Sequence, residues 1–241
     1  MNPREKLRQL APCATVGIGG VPSRELAFEF DVPTLPELVG DGETLRGLRP
    51  ASWPWFVEQL RVRRAKFAKV QVPGPASGQR DATEQALGYV KALKAINVEV
   101  LVFIDEPMLA AGASVEGVLP LRDALRDVGA IVGLHCCGDA DWAHVLAADF
   151  DIVSFDARLS LHAVTQERLG DTWLAVGVVP TSPGPKVDVD ALLTAASGTD
   201  RVLLSPACGL GGFDALTARA VLGELRRVQS LVRERSAHGP G

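Results

Sequence analysis

Short β-branched, apolar runs alternate along the chain with longer segments whose apolar residues recur at helical spacing, and this alternation predicts parallel βα units. Eight runs have strand character: ATVGIGG at 14–20, VPTLPEL at 32–38, FAKVQVPG at 67–74, VEVLVFIDEP at 98–107, AIVGLHCCG at 130–138, FDIVSFDA at 150–157, TWLAVGVVPT at 172–181 and RVLLSPACG at 201–209. The second is the weakest, because its two prolines cannot donate to a strand ladder. Between the runs, 81–95 places Leu87, Val90 and Leu93 along one helical face, and 118–128 and 215–232 carry comparable stripes. A charged helix opens the chain over 1–10, while residues 233–241 lose the apolar stripe and read as a frayed tail. Eight strands with intervening helices in 241 residues predict one α/β domain over 1–241, a single (β/α)8 TIM barrel, a fold that typically takes about 250 residues.

Composition narrows the function classes. With 47% apolar and 22% charged residues the chain can bury a large core, and disorder is not expected. The net charge is −4 and the densest basic group, Arg61, Arg63, Arg64 and Lys66, follows the helical pattern WPWFVEQL. It reads as a solvated helix face, so no nucleic-acid partner is expected. No run of about 18 apolar residues and no signal-peptide core is present, which predicts a cytoplasmic protein without a membrane partner. The four cysteines, Cys13, Cys136, Cys137 and Cys208, lack the spacing of a disulfide framework and are expected to be reduced thiols.

In such barrels the chemistry sits at the carboxyl ends of the strands. Asp105 and Glu106 end the fourth run, His135 and Cys137 the fifth, Asp156 the sixth and Cys208 the eighth. Residues i and i+2 share a face of a strand, so His135 and Cys137 point into the barrel mouth together while Cys136 points toward the helices. One imidazole, two thiolates and a carboxylate form a tetrahedral zinc set, whereas magnesium or calcium would demand oxygens. Taken singly, each has a plainer role: Cys208 a small turn residue, Asp156 a helix cap, His135 a hydrogen-bonded core histidine. Together they point to a metal centre. Two thiolates make zinc a poor activator of water but a good carrier of a further thiolate, so alkyl transfer to a substrate thiol is the expected reaction.

At these same residues the chain resembles the catalytic barrel of the cobalamin-independent methionine synthases, especially the short core forms that lack the amino-terminal half. ATVGIGGVP, KVQVPGP at 69–75, FIDEP at 103–107, LHCC at 134–137, DIVSFDA at 151–157 and SPACGL at 205–210 carry the resemblance, which spans nearly the whole chain. It implies a zinc-bearing barrel, related to uroporphyrinogen decarboxylase, that methylates the sulfur of homocysteine in methionine biosynthesis. By the resemblance His135, Cys137 and Cys208 match metal ligands, and Asp156 stands where the family usually has a glutamate ligand. Asp105 matches the acid that pairs with the homocysteine amino group, with Glu106 beside it. Ile18, Gly19 and Gly20 match the turn whose backbone receives the substrate carboxylate, Gly20 standing where the family more often has serine.

The resemblance also bears on the methyl donor. Full-length enzymes have a histidine after the seventh strand that assists departure of the folate, and GVVPTSPGP has none. A methylated corrinoid such as methylcobalamin, free or on a partner protein, is therefore the expected donor rather than methyltetrahydrofolate. Another small thiol such as coenzyme M is an alternative acceptor, and a non-catalytic zinc or corrinoid-binding barrel is the alternative of a different class. A uroporphyrinogen decarboxylase reading needs arginines near the amino terminus that grip substrate carboxylates, and the opening strand offers only Arg24 beyond GIGGVPS. A dinucleotide reading of GIGG fails at Pro22.

Overall fold

The computed structural model describes residues 2–36, 50–77, 82–183, 187–188, 191–192 and 200–238. Within them six strands, β1 (Phe67–Pro73), β2 (Glu99–Asp105), β3 (Ile131–Cys136), β4 (Ile152–Asp156), β5 (Trp173–Val179) and β6 (Val202–Pro206), form one curled parallel sheet in sequence order. Helices α1 (Pro3–Leu7) and α2 (Trp53–Val62) precede it. Between and after the strands lie α3 (Ala82–Lys94), α4 (Leu119–Asp127), α5 (Trp142–Ala147), α6 (Ala157–Gln166) and α7 (Ala215–His238).

The first two expected strands pair only through single parallel bridges, Thr15 to Leu204, Val16 to Val32 and Thr34 to Lys69. Pro33 has no N–H to give, although its carbonyl accepts from Lys69 at 2.8 Å. Part of the second run, 37–38, lies outside the described residues. The expected tail is corrected in part: α7 continues through 233–238, where Arg233 reaches back to the Pro12 carbonyl at 2.9 Å and to Asp31 at 3.6 Å. The basic group at and beyond the end of α2 is exposed as expected. Among the described residues no helix is long and apolar enough to cross a membrane.

Strand alternation divides the core into two clusters. Val100, Val102 and Ile104 of β2, Val132 and Leu134 of β3 and Val153 and Phe155 of β4 pack outward against the helices. Phe67, Leu101, Ile131, Ile152, Trp173 and Leu203 gather on the opposite, inner face with Val16 and Val32. Moving toward the carboxyl ends the inner face turns polar: Lys69 and Gln71 on β1, Asp105 on β2, His135 on β3, Ser154 and Asp156 on β4. A period of two thus carries every inward polar group up to one end of the sheet.

The opposite end is built for stability. Buried Asp151 accepts from the Val132 N–H at 2.8 Å and from Arg126 at 2.8 Å, with Arg4 of α1 at 3.5 Å. Asp151→Ala leaves the buried Val132 N–H without its partner and takes from Arg4 and Arg126 one of two carboxylates, Asp149 remaining, and is expected to cost about 2 kcal/mol of stability while leaving metal binding intact. Urea denaturation alongside metal content checks both halves of this expectation.

Candidate metal centre

His135, Cys137 and Cys208 converge, their ligand atoms lying within 4.8 Å of one another. His135 is in register with Asp105 on one side and Ser154 on the other, and is almost wholly buried. Its Nδ1 sits 2.9 Å from Ser154 Oγ, which leaves Nε2 as the nitrogen that could coordinate an ion. That Nε2 is buried and has no hydrogen-bond partner. Beyond the end of β3 the chain bends, so Cys137 turns toward the cluster, while Cys136 packs in the outer core with its Sγ 3.7 Å from the Gly138 carbonyl.

Electrostatics favour a thiolate at Cys208. A hydrogen bond from the Cys137 thiol, followed by His135 and the Gly209 N–H, pulls the Cys208 thiol down to about 4, against the opposing effect of burial. Cys137 moves upward because it donates to that thiolate and is itself buried. The orphaned imidazole nitrogen and the sulfur pair fit zinc, whose bonds of about 2.0–2.3 Å hold tetrahedral ligand atoms about 3.4–3.8 Å apart.

Asp156 is not brought into this cluster. Its carboxylate caps α6 through the Arg158 N–H at 2.9 Å and pairs with the Arg158 guanidinium at 2.6 Å. Arg158 in turn donates to the Ser182 carbonyl and hydroxyl at 3.1 and 3.0 Å, tying the loop after β5 to the start of α6. Among the described residues, those placed to hold a metal together are therefore His135, Cys137 and Cys208, and Asp156 is engaged elsewhere. Glu106 is held by the neighbouring loop. It is fully buried, accepting from the Ala76 N–H at 2.8 Å and the Ser77 hydroxyl at 2.9 Å, and it caps the turn Pro107–Ala111. Gly74 is needed beneath it, because a Cβ there would collide with the carboxylate.

Asp105 lies at the mouth, beside the cluster. Burial pushes its carboxyl upward; His135, Lys69 and a hydrogen bond from Gln71 act in the other direction, and Cys208 adds to the rise. The expected carboxylate-binding turn lies against the cluster too: the Leu210 N–H donates to the Gly20 carbonyl at 2.7 Å, and Gly209 approaches Gly19 and Gly20 closely. Gly19 takes φ +57° and gives its N–H to Gln71 Oε1 at 2.8 Å, and Ile18 is buried in the inner cluster. Those two residues shape the turn, with the Gly19 N–H already given to Gln71.

Sequence reasoning passed over Ser154, Arg158, Lys69 and Gln71. Lys69 and Gln71 carried a signal, two polar residues at alternate positions inside an otherwise apolar strand. A cleft of about 500 Å³ between the loops after β2 and β3, lined by Glu116, Asp139 and His144 among others, contains none of the three ligand residues. Set against protein families and curated proteins, the chain matches none.

Proposed function

We propose that the chain is a zinc-dependent thiol S-methyltransferase that methylates homocysteine, with a methylated corrinoid as donor. The convergence of His135, Cys137 and Cys208 at the carboxyl end of the sheet carries this reading. It is supported by the order of the motifs and by Asp105 at the mouth. The bridges at Thr15, Val16 and Thr34 link β6 to β1 through two further segments, which favours a closed eight-stranded barrel over an open sheet.

When bound, zinc lowers the pKa of an arriving thiol so that it reacts as thiolate. The chain's own residues do the rest. Ser154 fixes the His135 ring through Nδ1, and Cys137 and Cys208 supply the sulfur ligands. His135, Cys137 and Cys208 would hold the ion, and a three-residue set would leave room for a substrate sulfur that a closed four-ligand structural site would not. Asp105 pairs with the substrate ammonium and orients the thiolate toward the donor. The sulfur then forms its bond to the methyl carbon, and the electron pair of the broken bond leaves with the donor, so a corrinoid needs no proton from the enzyme.

Protein purified without added metal is expected to hold about one zinc per chain and to form methionine from homocysteine and methylcobalamin, with methyltetrahydrofolate much the poorer donor. Zinc without turnover or homocysteine binding would instead favour a non-catalytic zinc protein. Failure to take up zinc under reducing conditions would defeat both.

A further inference from the structure

Lys69 lies in the middle of β1 with no exposed surface, on the inner face one alternation below Gln71. A buried ammonium is costly to desolvate, and a methionine would fill much the same space. The protein nevertheless places a lysine here, with its Nζ against Gln71 Oε1 and 5.1 Å from the centre of the Phe103 ring.

The contacts around Gln71 define a direction. Its Oε1 accepts from both the Lys69 ammonium and the Gly19 N–H, the latter at 2.8 Å. With two donors on the oxygen, the amide has one orientation, and its Nε2 must face the other way. There it donates to Asp105 Oδ2 at 3.0 Å. The relay therefore runs from Lys69 through Gln71 to one oxygen of Asp105, and the Gly19 turn is tied to the same amide. The remaining carboxylate oxygen is left for a ligand.

We propose that Lys69 is a positioning residue that, acting through Gln71, holds Asp105 in the orientation that recognises the α-ammonium group of the substrate amino acid. This deepens the homocysteine reading and rests on it. Lys69 reaches the site through Gln71, so its effect is expected to fall on recognition of the ammonium. A purely structural lysine would instead affect every ligand alike.

Isothermal titration of the zinc-loaded full chain with homocysteine and with 4-mercaptobutyrate, the same thiol acid without its amino group, separates the two roles. Wild type is expected to prefer homocysteine. Lys69→Met lowers that preference by about tenfold, the scale of one hydrogen bond to a charged group, with 4-mercaptobutyrate affinity and zinc content unchanged. Lys69→Gln, uncharged but still a donor, recovers part of the preference and serves as the second variant if the first does not fold. The double variant Lys69→Met/Asp105→Asn is expected to be no worse than Asp105→Asn alone, since one residue acts through the other.

Equal weakening of both thiols, no weakening of either, or additive effects in the double variant would overturn the role of Lys69 while leaving the methyltransferase reading standing. A wild-type protein that binds zinc but neither thiol would overturn both.

Discussion

Cys208→Ser is expected to weaken zinc binding by at least about 100-fold and to abolish methyl transfer, whereas Asp156→Ala leaves zinc affinity within a few-fold of wild type. Even outer partners of metal ligands are worth about 10–100-fold, so removing a sulfur donor must cost more. Cys208 is the candidate ligand whose thiol the Cys137 thiol, His135 and the Gly209 N–H pull toward the thiolate. A serine hydroxyl in its place would stay protonated at neutral pH and offer zinc a poor ligand. Asp156 behaves differently because its carboxylate belongs to Arg158 and the first turn of α6. Its loss leaves a nearly buried guanidinium and a helix end without their partner, at about 2–3 kcal/mol. Competition against a chromophoric chelator reads the zinc affinity, and thermal melting of the same samples reads the stability. Comparable loss of zinc in both variants would return Asp156 to the ligand set.

The contrast between these two residues shows what the chain's pattern makes legible. Strand alternation is a property of consecutive positions, so the six paired strands, the inward placement of His135 and the outward placement of Cys136 can all be read from spacing. The position of Cys137 and Cys208 beside His135 follows because parallel strands bring their carboxyl ends together. The partner a side chain chooses once it arrives there is another matter. Asp156 has a choice between a metal and an arginine two residues on, and Glu106 between a substrate and the Ala76 N–H and Ser77 hydroxyl of a loop from another strand; spacing does not rank these. The separate pairing of the first two segments was hidden for a related reason. Gly17, Gly19, Pro33 and Pro36 weaken a continuous ladder, and only the register across three neighbours turns such segments into single bridges. Lys69 was legible as an anomaly in an apolar strand, but its meaning needed Gln71, Gly19 and Asp105 in one view.

Gly177→Ala is expected to be the most damaging conservative substitution on the sheet, costing about 3 kcal/mol or more. A Cβ at Gly177 would lie 2.7 Å from the Phe155 carbonyl and 2.7 Å from Ala207 Cα, with Asp156 Cα at 3.3 Å. All of these are backbone atoms of the two neighbouring strands or their ends, so no rotamer change relieves the overlap, and overpacking of this kind usually costs about 1–3 kcal/mol even where side chains can move. Gly133→Ala is the informative comparison: its Cβ would meet the Phe103 ring at 2.7 Å, an overlap that rotation of one side chain can ease. The Gly133 variant should therefore fold with a smaller loss. The Gly177 variant pushes apart the segments that carry Asp156 and Cys208, and Gly177 already sits beside an irregularity in the pairing of β5 with β6. Its damage should reach the site as well as the melting temperature, reducing zinc content in whatever fraction folds. Chemical denaturation with zinc analysis of the native fraction tests this. Equal losses for the two alanines would mean that the sheet yields at β5 as easily as the Phe103 ring turns.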